Sequence, residues 1–267
     1  MEKLYNINHK LNKRILENPE FTNNSTKITK LSDPVILYND GKNWKIVPLS
    51  VMLMYPVIHD LYYETSKNNK KDTVINVTIY VCPYTLFSAV YFGEFIPNNQ
   101  VYNNNLTLLD IHDKDQLFIP ILDKLYSVST KTINNKYIRR NEVRLMTLRN
   151  AISMYPDCVF LDIVKISKLD PVSSISNKIE FPAFKYSDEY PPKTLVYIIE
   201  YKSKKINDYK YSVIVPKTTN AFDITKNGFN TYFNNMIDKI RNKGGIIYTC
   251  FWFAWNGIDK QSKVIKL

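Results

Sequence analysis

Cys82 is the first side chain in this sequence that could do chemistry. It ends the run Val74 to Val81 and precedes Pro83. A thiol at a strand end, with the Ser88 hydroxyl close in sequence, is a candidate nucleophile once a base lowers its pKa. No histidine lies near it in sequence, and a free cysteine is commonly a small buried apolar side chain. Tyr102, Asn103, Asn104, Asn105 and Asp110 could supply polar recognition groups from a loop. The histidines are His9, His59 and His112, too scattered for a His-based metal site or a Ser-His-Asp triad. His59 and Asp60 are neighbours that would not face one another on a helix. Asp110, Asp113 and Asp115 could offer oxygen to a hard cation, but the stretch lacks the spacing, glycine and terminal glutamate of an EF-hand loop and reads as a surface turn. No catalytic residue, metal ligand or cofactor is assigned. The candidate binding residues are Cys82, Pro83, Ser88, Tyr102, Asn103, Asn105 and Asp110.

The elements that must position these groups are mostly strands. Val35 to Tyr38 and Trp44 to Val47 flank Asn39-Asp40-Gly41, a strong hairpin signal, and Pro48 ends the second strand. Leu49 to Tyr63 is apolar at helical spacing and predicts a short helix broken at Pro56. Val74 to Val81 and Leu86 to Phe92 read as strands. Thr147 to Tyr155 reads as a helix with Thr147 as N-cap, closed by Pro156. Val159 to Ile166 returns to strand. Leu195 to Tyr201 and Tyr209 to Val215 form a second hairpin, followed by a helix over Asn227 to Asn242 and a buried strand over Ile246 to Trp255. Residues 1–32 are polar, with a weak helical pattern at Leu4, Ile7, Leu11 and Ile15.

The fold class expected is α+β and β-rich, in two related halves each of hairpin, short helix and buried strand. Residues 1–32 form an N-terminal extension, 33–166 the first half, 167–192 a connecting loop, and 193–267 a shorter second half packed on the first. An offset of 168 residues aligns Ile46-Val47-Pro48 with Ile214-Val215-Pro216, Asp40 with Asp208, and Ile79-Tyr80-x-Cys82 with Ile247-Tyr248-x-Cys250. Glu200-Tyr201-Lys202, with Asp162 upstream, resembles the Glu-x-Lys strand of metal-dependent nucleases, where carboxylates hold a metal and a lysine polarises water. The tripeptide is common, and on a hairpin strand alternating charge usually marks a solvated face.

With 267 residues, 45% of them apolar and 13% aromatic, the chain can bury a sizeable core. Its net charge of +11 favours polyanions such as nucleic acid. No basic run is long, and abundant Lys, Asn, Ile and Tyr fit an AT-rich genome as well. Tyr209-Lys210-Tyr211 could stack on bases or simply pack on a sheet. Three cysteines without a Cys-x-x-Cys pair exclude a zinc ribbon and suit a reducing compartment. No signal peptide or membrane span is expected, so the expected location is cytoplasmic, or packaged from the cytoplasm into a virion.

Several motifs converge in order. They are Asp33-Pro34-Val35, Val47-Pro48-Leu49, Val77 to Cys82-Pro83, Ser88-Ala89-Val90-Tyr91-Phe92, Tyr102-Asn103-Asn104-Asn105-Leu106 with Asp110, and Tyr155-Pro156-Asp157-Cys158-Val159-Phe160-Leu161. The series resembles domain-of-unknown-function family 3179 over residues 33–165, with a weaker repeat to about residue 258. The resemblance carries no established activity. Where the family has Trp-His-Glu, this chain has Met54-Tyr55-Pro56, and the Trp-[Ser/Thr]-Gln element stands as Phe118-Ile119-Pro120. The hydrophobic frame remains while the most reactive-looking side chains are gone. That implies a non-catalytic scaffold or interaction protein with a protein partner or self-association, and the composition suits a virion component of a large DNA virus. A small-ligand or enzymatic site around Cys82 and the Asn103 to Asp110 loop, and nonspecific nucleic-acid binding, are the alternatives.

Overall fold

The computed structural model describes residues 4–7, 11–23, 30–65, 73–134, 138–173, 178–202, 209–215, 239–243, 245–260 and 262–266. In chain order the strands are β1 (Leu4–Asn6), β2 (Ile15–Glu17), β3 (Phe21–Thr22), β4 (Pro34–Asn39), β5 (Trp44–Pro48), β6 (Val57–Glu64), β7 (Thr73–Val81), β8 (Ser88–Phe92), β9 (Phe95–Tyr102) and β10 (Asn105–Asp110). They continue as β11 (Gln116–Ile119), β12 (Lys124–Ser127), β13 (Ile133–Asn134), β14 (Arg140–Glu142), β15 (Arg144–Thr147), β16 (Val159–Leu161), β17 (Leu195–Lys202), β18 (Tyr209–Val215), β19 (Ile246–Phe251) and β20 (Lys263–Lys266). Short helices accompany them, among them α1 (Leu49–Met54), α2 (Leu148–Met154) and α3 (Trp252–Asn256). The β-rich class expected from the sequence is the one observed.

Four sheets result. Sheet A is β1-β9-β10-β11-β12-β13, sheet B is β14-β8-β7-β6-β2, sheet C is β15-β4-β5-β16-β3, and sheet D is β19-β17-β18-β20. Residues 57–64 correct the sequence reading. They form β6, not the second part of a helix, and pair with β7 from Val57↔Tyr80 to Glu64↔Thr73. Pro56 stops α1, and the β-branched and aromatic residues beyond it favour a pleated, half-buried surface over a helix. Trp252 to Trp255 likewise leave the strand and form α3, and Ile163–Lys165 is a 3-10 turn rather than strand. The helix expected over Asn227 to Asn242 lies largely outside the described residues; 239–242 are helical. Thr147 caps α2 as expected, its hydroxyl accepting from the Asn150 N–H at 3.4 Å.

The described N-terminal residues show no α-helix, and their strands lie along the body. β1 lies on the edge of sheet A, β2 on the edge of sheet B, and β3 on the edge of sheet C. Unpaired strand edges invite association, and this one segment occupies an edge of three sheets. Leu11, between β1 and β2, is fully buried.

Sheets C and D share one plan. In each, a hairpin (β4-β5; β17-β18) is flanked by an antiparallel strand (β15; β19) and a parallel strand (β16; β20), with a short helix between the flanking strands. The registers agree as well. Pro34 faces Thr147 as Leu195 faces Phe251. Ile36 faces Val47 as Tyr197 faces Ile214. Lys45 faces Val159 as Ser212 faces Lys263. This correspondence is not the 168-residue offset. That offset equates Ile46 with Ile214, whereas the shared register equates Ile46 with Val213, and a slip of one residue exchanges the two faces of a strand. It also equates β7 of sheet B with β19 of sheet D, whose place in sheet C is held by β15. Asp208, its third match, lies outside the described residues. Apart from the edge strands β1 and β2, all strands of sheets A and B lie in the chain between β5 and β15 of sheet C.

One hydrophobic cluster runs through all of this, from Ile36 and Val57 through Tyr80, Phe87 and Phe118 to Tyr248 and Trp252. The ring of Phe87 stacks on that of Tyr248 with centroids 5.5 Å apart, tying sheet B to sheet D. A smaller cluster under α2 joins Val35, Leu37 and Ile46 to Leu148 and Phe160.

Candidate functional site

The structure brings most of the candidate binding residues together, but in a closed interior. Cys82, Ser88, Asn103, Asn104 and Asn105 are all fully buried or nearly so. Residues 82–87 form the tight turn between β7 and β8, in which the Cys82 N–H donates to the Phe87 carbonyl at 2.8 Å and the Leu86 N–H to the Cys82 carbonyl at 2.9 Å. The Cys82 sulfur accepts from the Leu106 N–H at 3.3 Å and lies 3.6 Å from the Asn104 carbonyl. Burial pushes the thiol pKa up, against several smaller hydrogen-bond effects. A protonated, enclosed thiol is no nucleophile. Ser88 Oγ meets Thr249 Oγ1 of β19 at 3.2 Å rather than a histidine.

The three asparagines are structural staples. Asn103 and Asn104 take left-handed φ angles of 46° and 62° and make the two-residue turn joining β9 to β10. Asparagine tolerates that region better than most residues, which suits it to the favoured hairpin turn. Both ends of each side-chain amide are bonded. Asn103 donates to the Ala254 carbonyl of α3 at 3.0 Å and accepts from the Phe184 N–H at 2.7 Å. Asn104 donates to the Phe181 carbonyl and accepts from the Phe181 N–H, each at 2.8 Å. Asn105 donates to Thr85 Oγ1 at 2.9 Å and accepts from Tyr80 OH at 3.2 Å. The connecting stretch 167–192 is thus laid into the body by Asn103 and Asn104. Tyr102 is half-buried, its ring edge against Phe184 with centroids 5.2 Å apart. Asp110 stands apart at the end of β10, accepting from the His112 N–H at 2.9 Å.

The other sequence candidates also resolve into structure. His59 and Asp60 alternate along β6. The His59 ring nitrogens face the Glu17 carboxylate at 3.0 Å and the Phe95 carbonyl at 2.8 Å. Asp60 accepts from Lys45 Nζ and Tyr38 OH, both at 2.7 Å. Burial, then the Asp60 charge, drives the Tyr38 pKa well above its usual value. Asp162 caps the 3-10 turn that follows it. Glu200 is not on a solvated face: it is buried and ion-paired with Arg140. Among the described residues no group of three His, Cys, Asp or Glu side chains could hold a metal ion.

The pair Arg140 and Glu200 belongs to a buried charged centre that motif reading missed. Arg140 enters from β14 of sheet B and Glu200 from β17 of sheet D, while Asp123 comes from the turn before β12 of sheet A. Arg140 Nη1 lies 3.3 Å from Asp123 Oδ1, and the guanidinium carbon sits 4.7 Å from the Tyr248 ring centroid. Arg140 Nε, Glu200 Oε1, Tyr248 OH and Asp123 Oδ1 are buried without a hydrogen-bond partner; for Asp123 the Arg140 nitrogen is close enough to attract but not aligned to bond. The sequence signal was weak, since an isolated Glu in a Val/Ile/Tyr strand is the only mark of it.

Desolvation pushes the Asp123 pKa from 3.8 up to about 6, with Arg140 opposing the rise and Glu200 adding to it. Between those values the folded protein holds a proton that the unfolded chain has released. The resulting stability is complete below about pH 4 and is lost as pH rises through about 6. Asp123→Asn, which cannot ionise, should therefore gain stability on the wild type by on the order of 2 kcal/mol between pH 4 and pH 7. Urea titrations of both proteins across that range check it, and a difference that stays constant with pH refutes it.

Among the described residues no helix is long and apolar enough to cross a membrane. Against this fold and site, no protein-family model, no curated protein and no solved structure matches the chain.

Proposed function

We propose that the protein is a non-catalytic scaffold or interaction protein, a divergent relative of family 3179 serving as a virion component. The observation that carries this reading is the use of Asn103, Asn104, Asn105, Thr85 and Cys82. Every polar side-chain atom of the three asparagines is spent on internal bonds that join sheet A, α3 and the connecting stretch. A site of this make-up holds parts together rather than turning over a substrate. The common plan of sheets C and D supports duplication of a small β-unit, with later growth of β6 to β14 inside the first copy.

Two measurements test the proposal. Native protein should leave its cysteines unreacted with a disulfide reagent, all three being buried, and react fully only on unfolding. Cross-linking and mass spectrometry of purified particles should find the chain bound to a fixed neighbour. Its absence from particles, together with a fast-reacting Cys82, would sink the reading.

A further inference from the structure

A cavity of about 180 Å³ opens on sheet A, lined by Tyr102, Ile119, Leu122, Lys124, Leu125, Tyr126 and Lys131. Ile119, Leu122 and Leu125 give it an apolar floor, and two tyrosines and two lysines border it. Among the described residues no carboxylate lines it. Asp123, between Leu122 and Lys124 in sequence, directs its carboxyl to Arg140 instead. Among the described residues neither Lys124 nor Lys131 has an acidic partner.

The turn that presents Lys131 is braced. Asp115 accepts from Ser127 Oγ at 2.6 Å, from the Ser129 N–H at 2.7 Å and from Ser129 Oγ at 2.9 Å, while Thr130 Oγ1 donates to Ser127 Oγ at 2.7 Å. Lys131 itself is held at φ 56°. Fixing a loop before binding reduces the ordering cost of the complex. An apolar concavity with a few convergent polar groups is the usual form of a small-ligand site, although this one is smaller than the roughly 300–1,000 Å³ typical of drug-sized ligands.

We propose that this cavity binds a small organic anion, a monocarboxylate with a compact apolar or aromatic body, whose body rests on Ile119, Leu122 and Leu125 and whose charge lies between Lys124 and Lys131. This goes beyond the scaffold reading, because none of these residues takes part in the Asn103–Asn105 network.

Saturation-transfer NMR at low ionic strength, where exposed charges are least screened, tests it on the full chain with three probes: benzoate, benzyl alcohol and inorganic phosphate. Benzoate should bind saturably and benzyl alcohol several-fold more weakly. Lys124→Met and Lys131→Met should each weaken benzoate about threefold to fivefold, the scale of one exposed charge pair. Leu122→Trp should abolish binding by filling the floor; the two lysine variants keep the test valid if that substitution disturbs folding. No saturable benzoate signal, equal binding of benzyl alcohol, phosphate binding as tight as benzoate, or indifference to both lysine replacements would each overturn the proposal.

Discussion

Replacing Arg140 with methionine should destabilise the protein by about 3–5 kcal/mol, because it strands Glu200 in the interior with no counter-charge. Glu200 is 2% exposed and Arg140 4%, so neither can recover solvation by a small shift. The second half of the experiment is the informative one. Adding Glu200→Leu to Arg140→Met should recover most of the loss, since well-packed apolar residues often replace a buried ion pair at little cost. Urea unfolding of both variants at pH 7 measures it. If the single variant loses under 1 kcal/mol, or the double is no more stable than the single, the charges are not what binds the three sheets here.

The second large effect is expected at Asn103. Asn103→Gly keeps the left-handed turn available but leaves the Ala254 carbonyl and the Phe184 N–H without partners. Orphaned buried groups cost about 1–3 kcal/mol each, so a loss of about 2–4 kcal/mol is expected. Asn103→Ala should lose about 1 kcal/mol more, because alanine adopts φ 46° less readily than glycine. The gap between the two variants isolates the backbone from the side chain. A glycine variant within 0.5 kcal/mol of wild type would show that the hydrogen bonds to α3 and the connecting stretch contribute little.

Both sites show what could be read without the structure. The hairpin at Asn39-Asp40-Gly41 was legible because its turn chemistry is local: Gly41 has φ 93°, and a Cβ there would lie 1.9 Å from the Tyr63 carbonyl oxygen. The Thr147 cap was legible for the same reason. Val57 to Tyr63 was not, because apolar residues in a short run fit a buried strand and a helix equally, and the choice is made by pairing with β7. The asparagines read from sequence as recognition groups on a loop, but a loop that reaches solvent and one that clasps another segment have the same composition. Only tertiary contacts distinguish them. Glu200 misled in the same way. Alternation places it on one face of β17, and whether that face meets water or Arg140 depends on sheet B.

The long excursion of the chain through sheets A and B between β5 and β15 has a kinetic consequence. Lys45 and Val159 pair in parallel across the whole of that excursion, so the β5–β16 pairing, unlike the local β4–β5 hairpin, must close a very long loop. Once sheets A and B have condensed, the same ends are already near one another and the closure becomes short. Sheet C is therefore expected to complete its parallel pairing after the strands between β5 and β15 have condensed. Sheet D, which rests on sheet B through Ser88, Phe87 and Arg140, should likewise find its seat only once that sheet has formed.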